Sequence, residues 1–230
     1  MDLLEAISVR HSVRKYEERP LAGEAVAALQ NTIVELNGKF GLHIQLVTEE
    51  PKAFTGILSY GKFHGVRNYI VMAGQRTPQF ARRVGYAGER LVLLAQTLGL
   101  NTCWVGISYR KVDGAFVLEK GERLACVIAV GYGATQGVDH RRKTTTEVSN
   151  VSADSPEWFR RGVEAALLAP TALNQQKFRF DLLPATDGGL PKVSVRSGRS
   201  IFGYTDIDLG IAMCHFELAA GEGRYEPWNL

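Results

Sequence analysis

Residues 84–106, VGYAGERLVLLAQTLGLNTCWVG, read as a helix that stops and hands over to a strand. Ala87, Leu91, Leu94, Ala95 and Leu98 recur at the three- and four-residue spacing of one broad apolar face, and Gly99 supplies the stop. Asn101 to Gly106 then reads as a turn entering a strand. Further on, Leu124 to Val130 is an uninterrupted, β-branched apolar run, which predicts a central strand buried on both faces and ended by Gly131-Tyr132-Gly133. Helices and strands are therefore mixed along one chain.

Upstream, Leu3, Leu4, Ile7 and Val9 predict a short helix over residues 2–9 that delivers Arg10-His11-Ser12-Val13-Arg14 at its C-terminal end. Glu24 to Leu36 is a second amphipathic helix. His43 to Val47 and Tyr69 to Met72 read as strands, the latter closed by Ala73-Gly74. The glycine- and aromatic-rich stretch from Pro51 to Val66 reads as a loop or lid. Downstream, Ser155-Pro156 reads as an N-cap with Pro at the first helical position, opening a helix from Glu157 to Ala169 before Pro170.

Residues 134–156 combine a basic cluster with a Thr, Ser, Asn and Asp stretch, and the boundary is set with 1–145 and 155–230 as units and 146–154 as linker. The two units look related. Val26-Ala27-Ala28 leading to Leu36-Asn37 lines up with Val163-Glu164-Ala165 leading to Leu173-Asn174, and Lys39-Phe40 with Lys177-Phe178. Tyr69-Ile70-Val71 with Gly74 resembles Lys192-Val193-Ser194-Val195 with Gly198, and the helix bracketed by Gly88 and Gly99 matches the one bracketed by Gly210 and Gly221. That order points to an internal duplication.

With 230 residues, 45% hydrophobic and 22% charged, the composition is that of a globular domain. A net charge of +3, with basic and acidic residues interspersed, argues against nucleic acid as the main partner. Cys103, Cys126 and Cys214 form no CxxC and no zinc spacing, so they read as reduced thiols and no metal is expected. The charged N-terminal stretch does not fit a signal peptide and no segment fits a membrane span, which leads to the expectation of a cytoplasmic protein.

The chemistry concentrates in four motifs. Arg10-His11-Ser12-Val13-Arg14-Lys15-Tyr16 packs guanidinium groups, an imidazole and a hydroxyl into one short segment, a dense set of donors for an anion or an electron-rich ring edge. Ala169-Pro170-Thr171-Ala172-Leu173-Asn174-Gln175-Gln176 follows an Ala-rich helix and offers two side-chain amides. Gly99-Leu100-Asn101-Thr102-Cys103-Trp104-Val105-Gly106 ends on a glycine that lets a backbone approach closely. Gly131-Tyr132-Gly133 precedes the basic cluster His140-Arg141-Arg142-Lys143.

Together these resemble the nitroreductase family: its N-terminal Arg-x-Ser-x-Arg segment, its Ala-Pro-Ser-x-x-Asn-x-Gln segment, its Gly-Leu-Gly-x-Cys-Trp-x-Gly stretch and the Arg after its last core strand. The resemblance implies an α+β fold with a mixed, largely antiparallel sheet flanked by helices, and a non-covalent FMN. Carried over, Arg10 and Ser12 face the ribityl-phosphate side with His11 among the cofactor-binding residues, Arg14 approaches the pyrimidine edge, the backbone of Trp104, Val105 and Gly106 the ring's N5, and Arg142 with its neighbour Arg141 the phosphate. Pro170, Thr171, Ala172, Asn174 and Gln176 complete the cofactor site, with Tyr60 and Phe63 as candidates for the acceptor side. Thr171-Ala172 and Lys177-Phe178 depart from the family's usual residues.

In that family a homodimer combines the arginine segment of one subunit with the Pro-Ser segment of the other. Here residues 1–145 keep the former and 155–230 the latter, which implies a monomer that is an internal pseudo-dimer with a single FMN site. The implied reaction is ping-pong, from NADH or NADPH to a small-molecule acceptor of nitroaromatic or quinone type. A flavin carrier or redox sensor without turnover, and an anion-binding scaffold without flavin, are the rival readings.

Overall fold

Four antiparallel strands carry the molecule, and the computed structural model describes residues 1–55, 62–185, 188–199 and 203–230. Strands β1 (Gln45–Val47), β2 (Asn68–Gln75), β3 (Asn101–Val105) and β4 (Glu122–Gly131) lie in the order β1-β2-β4-β3. Side chains alternate across a strand. Ile70, Met72, Ile128 and Val130 therefore enter one core, while Tyr69, Val71, Val127 and Ala129 enter a second one on the opposite face. The β4 strand sits between β2 and β3 and is buried on both sides, as its apolar run predicts.

Six helices surround the strands among the described residues: α1 (Leu3–Val9), α2 (Gly23–Phe40), α3 (Phe80–Thr97), the one-turn α4 (Thr145–Val148), α5 (Glu157–Ala166) and α6 (Thr205–Ala220). A two-stranded antiparallel sheet, β5 (Phe178–Leu183) with β6 (Lys192–Ser197), stands apart from the first. The fold is thus α+β, with antiparallel sheets flanked by helices.

The predicted elements are present with shifted ends, and the shifts have causes. Strand β2 does not close at Ala73-Gly74 but runs on to Gln75, because a bulge between Met72 and Ala73 absorbs the register change. Gly74 serves close packing: a Cβ there would meet Leu42 and Phe80 at 3.2–3.3 Å. The β3 strand starts at Asn101 itself, without an intervening turn. Helix α5 ends at Ala166, three residues early, since Leu168 and Ala169 tighten to three-residue hydrogen bonds ahead of Pro170. At its other end Pro156 takes the cap position, while Ser155 Oγ accepts from the Ser152 amide instead of capping the helix.

Two stretches read as loops are packed. Around the undescribed residues, Pro51–Phe54 forms a 3-10 turn, and Ala53, Phe54, Phe63 and Val66 are buried in the second core, so this part plugs the sheet's outer face. Within 146–154, Val148 and Ser149 are buried, Ser149 pairs with Phe180, and the Asn150 side chain clamps both backbone groups of Leu182 at 2.8 and 2.9 Å.

The order α2-β1-β2-α3 recurs as α5-β5-β6-α6. Leu36-Asn37 and Leu173-Asn174 are nevertheless not equivalent, because the former lie inside α2 and the latter in a 3-10 turn with left-handed backbone. The glycine pairing also differs from the one the sequence suggests. At the crossing of α3 and α6, a Cβ on Gly85 would lie 2.0 Å from the Ile207 carbonyl oxygen, and one on Gly210 would lie 2.1 Å from that of Arg82. The contact is reciprocal, so Gly85 is the partner of Gly210, one turn before Gly88. Gly88 instead makes room for the Trp104 ring.

Neither backbone can retreat without parting the two helices, so Gly85→Ala and Gly210→Ala are each expected to cost about 1–3 kcal/mol. Thermal unfolding of the two single variants and the double variant checks this. The double should lose less than the sum, because either substitution alone already separates the pair.

Candidate functional site

After α1 the chain runs extended along the free edge of β3. The Val13 amide donates to the Thr102 carbonyl at 2.9 Å, Ser12 pairs with Thr102, and the buried Tyr16 hydroxyl donates to the Val13 carbonyl at 2.7 Å. This lie carries Arg14 alongside Trp104, Val105 and Gly106. Facing them is the loop from Pro170 to Leu173, which follows α5 and is held by the Ala172 amide donating to Asp208 Oδ1 at 2.9 Å. Tyr204, Ile207, Asp208 and Ile211 from the head of α6, with Cys126 from β4, complete a cleft of about 290 Å³. That volume is near the lower end, roughly 300 Å³, of small-molecule sites.

The loop is held in a costly shape. Leu173, Asn174 and Gln176 have φ of 54°, 52° and 46°, in the left-handed region that L side chains avoid. Bonds from the Asn174 amide to the Thr171 carbonyl at 2.9 Å and from the Gln176 amide to the Thr171 hydroxyl at 3.1 Å enforce it. Leu173 is left 80% exposed at the rim, opposite Ile107 at 69%, so the mouth of the cleft is apolar.

Of the residues singled out from the sequence, Ser12, Arg14, Trp104, Val105, Gly106, Pro170, Thr171 and Ala172 line this one cleft. The others do not. Arg10 is buried, with Nε 3.7 Å from Glu89 Oε1, because its short approach from α1 points it into the main core. His11 packs its Cβ against Gly137. Asn174 and Gln176 turn their amides away from the cleft: Asn174 Nδ2 and Gln176 Nε2 donate to the Arg141 carbonyl at 2.9 and 2.8 Å, and Gln176 Oε1 accepts from the Lys143 amide at 2.9 Å. Arg141 is exposed, and Arg142 pairs with Asp139 at 2.5 Å beside a separate groove near Leu4 and Arg161. Phe63 is buried edge-on against Phe54 at 5.2 Å between ring centres and contributes to a separate cleft next to Arg14. Tyr60 lies outside the described residues.

Gly106 is open on its Cα, but Tyr204 takes the space, since a Cβ there would lie 2.6 Å from its phenol ring. Behind the cleft wall, Glu89 is fully buried and gathers three partners. Its Oε2 accepts from Trp104 Nε1 at 2.9 Å, its Oε1 faces His215 Nε2 at 2.9 Å, and Arg10 stands at 3.7 Å. Burial opposes ionisation of Glu89, yet the bonds from His215, the charge of Arg10 and the indole outweigh it, and the carboxyl is held below its ordinary range. The Ala165 carbonyl only accepts, so His215 Nδ1 donates to it at 3.1 Å.

Asp208 behaves in the opposite way. Burial pushes its carboxyl up to about 7, only partly countered by the Ala172 amide. Its Oδ2 is buried with no hydrogen-bond partner among the described residues. Asp208, Glu89 and His215 were not singled out from the sequence, because each stands within two residues of another ionisable group (Asp206, Arg90 and Glu217) and reads there as part of an ordinary helix surface.

A family model described as "Putative TM nitroreductase" matches residues 2–220. The chain belongs to the nitroreductase family. A comparison with curated proteins gave no match. Among solved structures, this nitroreductase-family chain is similar to a "putative nitroreductase" of Thermotoga maritima, with 24% identity, a TM-score of 0.67, and coverage of 95% of this chain and 83% of that one. It is also similar to one from Desulfovibrio desulfuricans in complex with FMN, with 18% identity, a TM-score of 0.50, and coverage of 68% of this chain and 98% of that one. At these identities the likeness establishes the fold.

Two outcomes follow for this nitroreductase-family protein. Glu89→Ala leaves the buried Arg10 guanidinium without a counter-charge and the Trp104 and His215 ring nitrogens without their partner, and is expected to cost about 3–5 kcal/mol in denaturant unfolding. The Asp208 carboxyl titrates near 7 when folded and near about 3.9 when unfolded. Its contribution to stability is therefore whole below pH ~4 and lost as pH rises through ~7. Asp208→Asn removes that loss, so its Tm advantage over the parent should grow between pH ~4 and ~7 and level off above; an advantage independent of pH would contradict the shifted titration.

Proposed function

We propose that this chain is an FMN-dependent oxidoreductase that takes reducing equivalents from NADH or NADPH and passes them to a nitroaromatic- or quinone-like acceptor, the two small molecules using one cleft in turn. The single observation that carries this reading is that Arg14, the Trp104–Gly106 backbone and the Pro170–Leu173 loop share that cleft. Membership of the nitroreductase family and the likeness to an FMN complex support it.

The donor set fits the ring of the cofactor better than its phosphate. A flat ring system needs an apolar slot, a cation at one edge and close backbone; Pro170, Ile207 and Ile211 supply the slot, Arg14 the cation, and residues 104–106 the backbone. Arg10 and Arg142 are engaged with Glu89 and Asp139, so the phosphate contacts implied for them are not assembled. When bound, FMN would supply the reversible two-electron chemistry that no side chain here can provide.

The protein's own part is electrostatic and steric. The Arg14 guanidinium would stabilise negative charge arising at the ring edge, at a cleft mouth where screening is weaker than in open water. Leu173 and Ile107 would exclude solvent above the ring. Trp104 is fixed as a wall by its bond to Glu89, so the backbone beside it is held without reorganisation. A ring stacked on the side of Gly106 that carries no side chain would have the Tyr204 phenol share or yield its place. The related order of elements in the two segments agrees with an internal pseudo-dimer that builds one such site in a monomer.

Reconstitution with FMN followed by the visible spectrum tests the proposal. About one flavin per chain should bind, NADH or NADPH should bleach it, and a quinone or nitroaromatic should restore the colour. Arg14→Ala should weaken FMN about tenfold, the loss of one charge-assisted hydrogen bond. Two tightly held flavins per chain would contradict the single site, and flavin that binds but resists bleaching would indicate a carrier.

A further inference from the structure

Asp208 stands out among the residues of the cleft. It lies in the first turns of α6, is 3% exposed, and lines the cleft together with the apolar Ile207, Ile211, Pro170 and Val105. One carboxyl oxygen is committed, since Oδ1 receives the Ala172 amide at 2.9 Å. The other, Oδ2, has no hydrogen-bond partner among the described residues. A buried polar atom left unpaired in an apolar pocket costs about 1–3 kcal/mol unless a ligand pairs with it.

We propose that Asp208 is a ligand-recognition residue of this cleft, whose Oδ2 hydrogen-bonds a carbonyl-bearing edge of the flat ring bound there. The inference rests on the flavin reading above and adds a contact that neither the arginine segment nor the Pro-Thr segment supplies. The direction of the bond follows from the surroundings. Oδ1 is already an acceptor for Ala172, and among the described residues no cation stands against the carboxyl to favour its ionised form. Below pH ~7 the proton therefore resides on Oδ2, and the acid is a donor in need of an acceptor: a ring carbonyl, not a ring N–H. Asp208 also positions the loop, since the same carboxyl anchors Ala172 opposite the ligand.

The bond has a pH signature. Other titratable and charged groups around the cleft are Arg14 on the N-terminal segment, Cys126 and Arg123 on β4, and Tyr204 at the head of α6. Burial pushes the Cys126 thiol and the Tyr204 phenol up, away from the window between pH ~5 and ~8 in which the Asp208 carboxyl changes state. Loss of the Asp208 proton removes the donor and places a bare carboxylate against a carbonyl oxygen. Ring affinity should be flat at low pH and fall once the carboxyl ionises, approaching about tenfold per pH unit.

Riboflavin is the probe, because it carries the ring without the phosphate, whose own ionisation near pH ~6 would confuse an FMN titration. Fluorescence quenching of riboflavin by the full-length apoprotein is measured from pH ~5.5 to ~8.5 for the parent, Asp208→Asn and Asp208→Leu, each checked for folding by circular dichroism. The parent should weaken above pH ~7. Asp208→Asn, which keeps an N–H donor, should stay near the parent's low-pH affinity at every pH. Asp208→Leu should be pH-independent and about tenfold weaker than the parent at pH ~6. Parent and Asn variant following one pH curve, or the Leu variant equalling the parent at pH ~6, would overturn the assignment while leaving the flavin site intact. A parent that binds neither riboflavin nor FMN at any pH would overturn the flavin reading and the Asp208 contact with it.

Discussion

The carboxylate of Glu89 is the point to which the rest of this structure is tied. It sits at the centre of the protein, on α3, and takes bonds or charge from the chain after α1 through Arg10, from β3 through Trp104 and from α6 through His215. An isolated charge at that depth would be prohibitive, so these groups have to arrive together. Their convergence fixes α3 against α6 in the one arrangement where Gly85 and Gly210 let the backbones touch. It also turns the Trp104 ring into the gap left by Gly88, which makes one wall of the cleft rigid.

Opposite that wall the chain spends conformational strain to hold a loop. Left-handed Leu173, Asn174 and Gln176 persist because Thr171, Asp208 and the Arg141 carbonyl over-determine their positions. The cleft therefore has one side set by a buried ion network and another by a strained turn pinned through its backbone. Such preorganisation suits a site that must receive a rigid ring and meet changing charge without rearranging. The two acids serve different ends: Glu89 is ionised and saturated, whereas Asp208 is raised and keeps one oxygen unpaired.

The strongly patterned parts were legible in the residues. The α3 face, the doubly buried β4 strand and the arginine segment follow from apolar spacing and from the chemistry of guanidinium groups. Shared membership of the cleft was also anticipated for Arg14, Trp104 to Gly106 and Pro170 to Ala172. What misled was local. Ala73-Gly74 looks like a strand end because glycine usually punctuates, but a bulge and a close neighbour made it part of β2. Asn174 and Gln176 look like ligand amides because they can donate and accept, yet the nearest groups in need of partners were the Arg141 carbonyl and the Lys143 amide.

From its order of residues alone this protein determines the places where helices and strands alternate, because periodicity and turn chemistry act over a few neighbours; the α+β class and the three segments that meet at a cleft were legible through their resemblance to the nitroreductase family. Only the tertiary structure decided which polar groups those segments still have to offer once folded. Hydrogen bonds are satisfied by proximity in space, so Arg10 was taken by Glu89, Gln176 by the 141–143 stretch, and Asp208, unremarked within an apolar helix, was left with an oxygen to give.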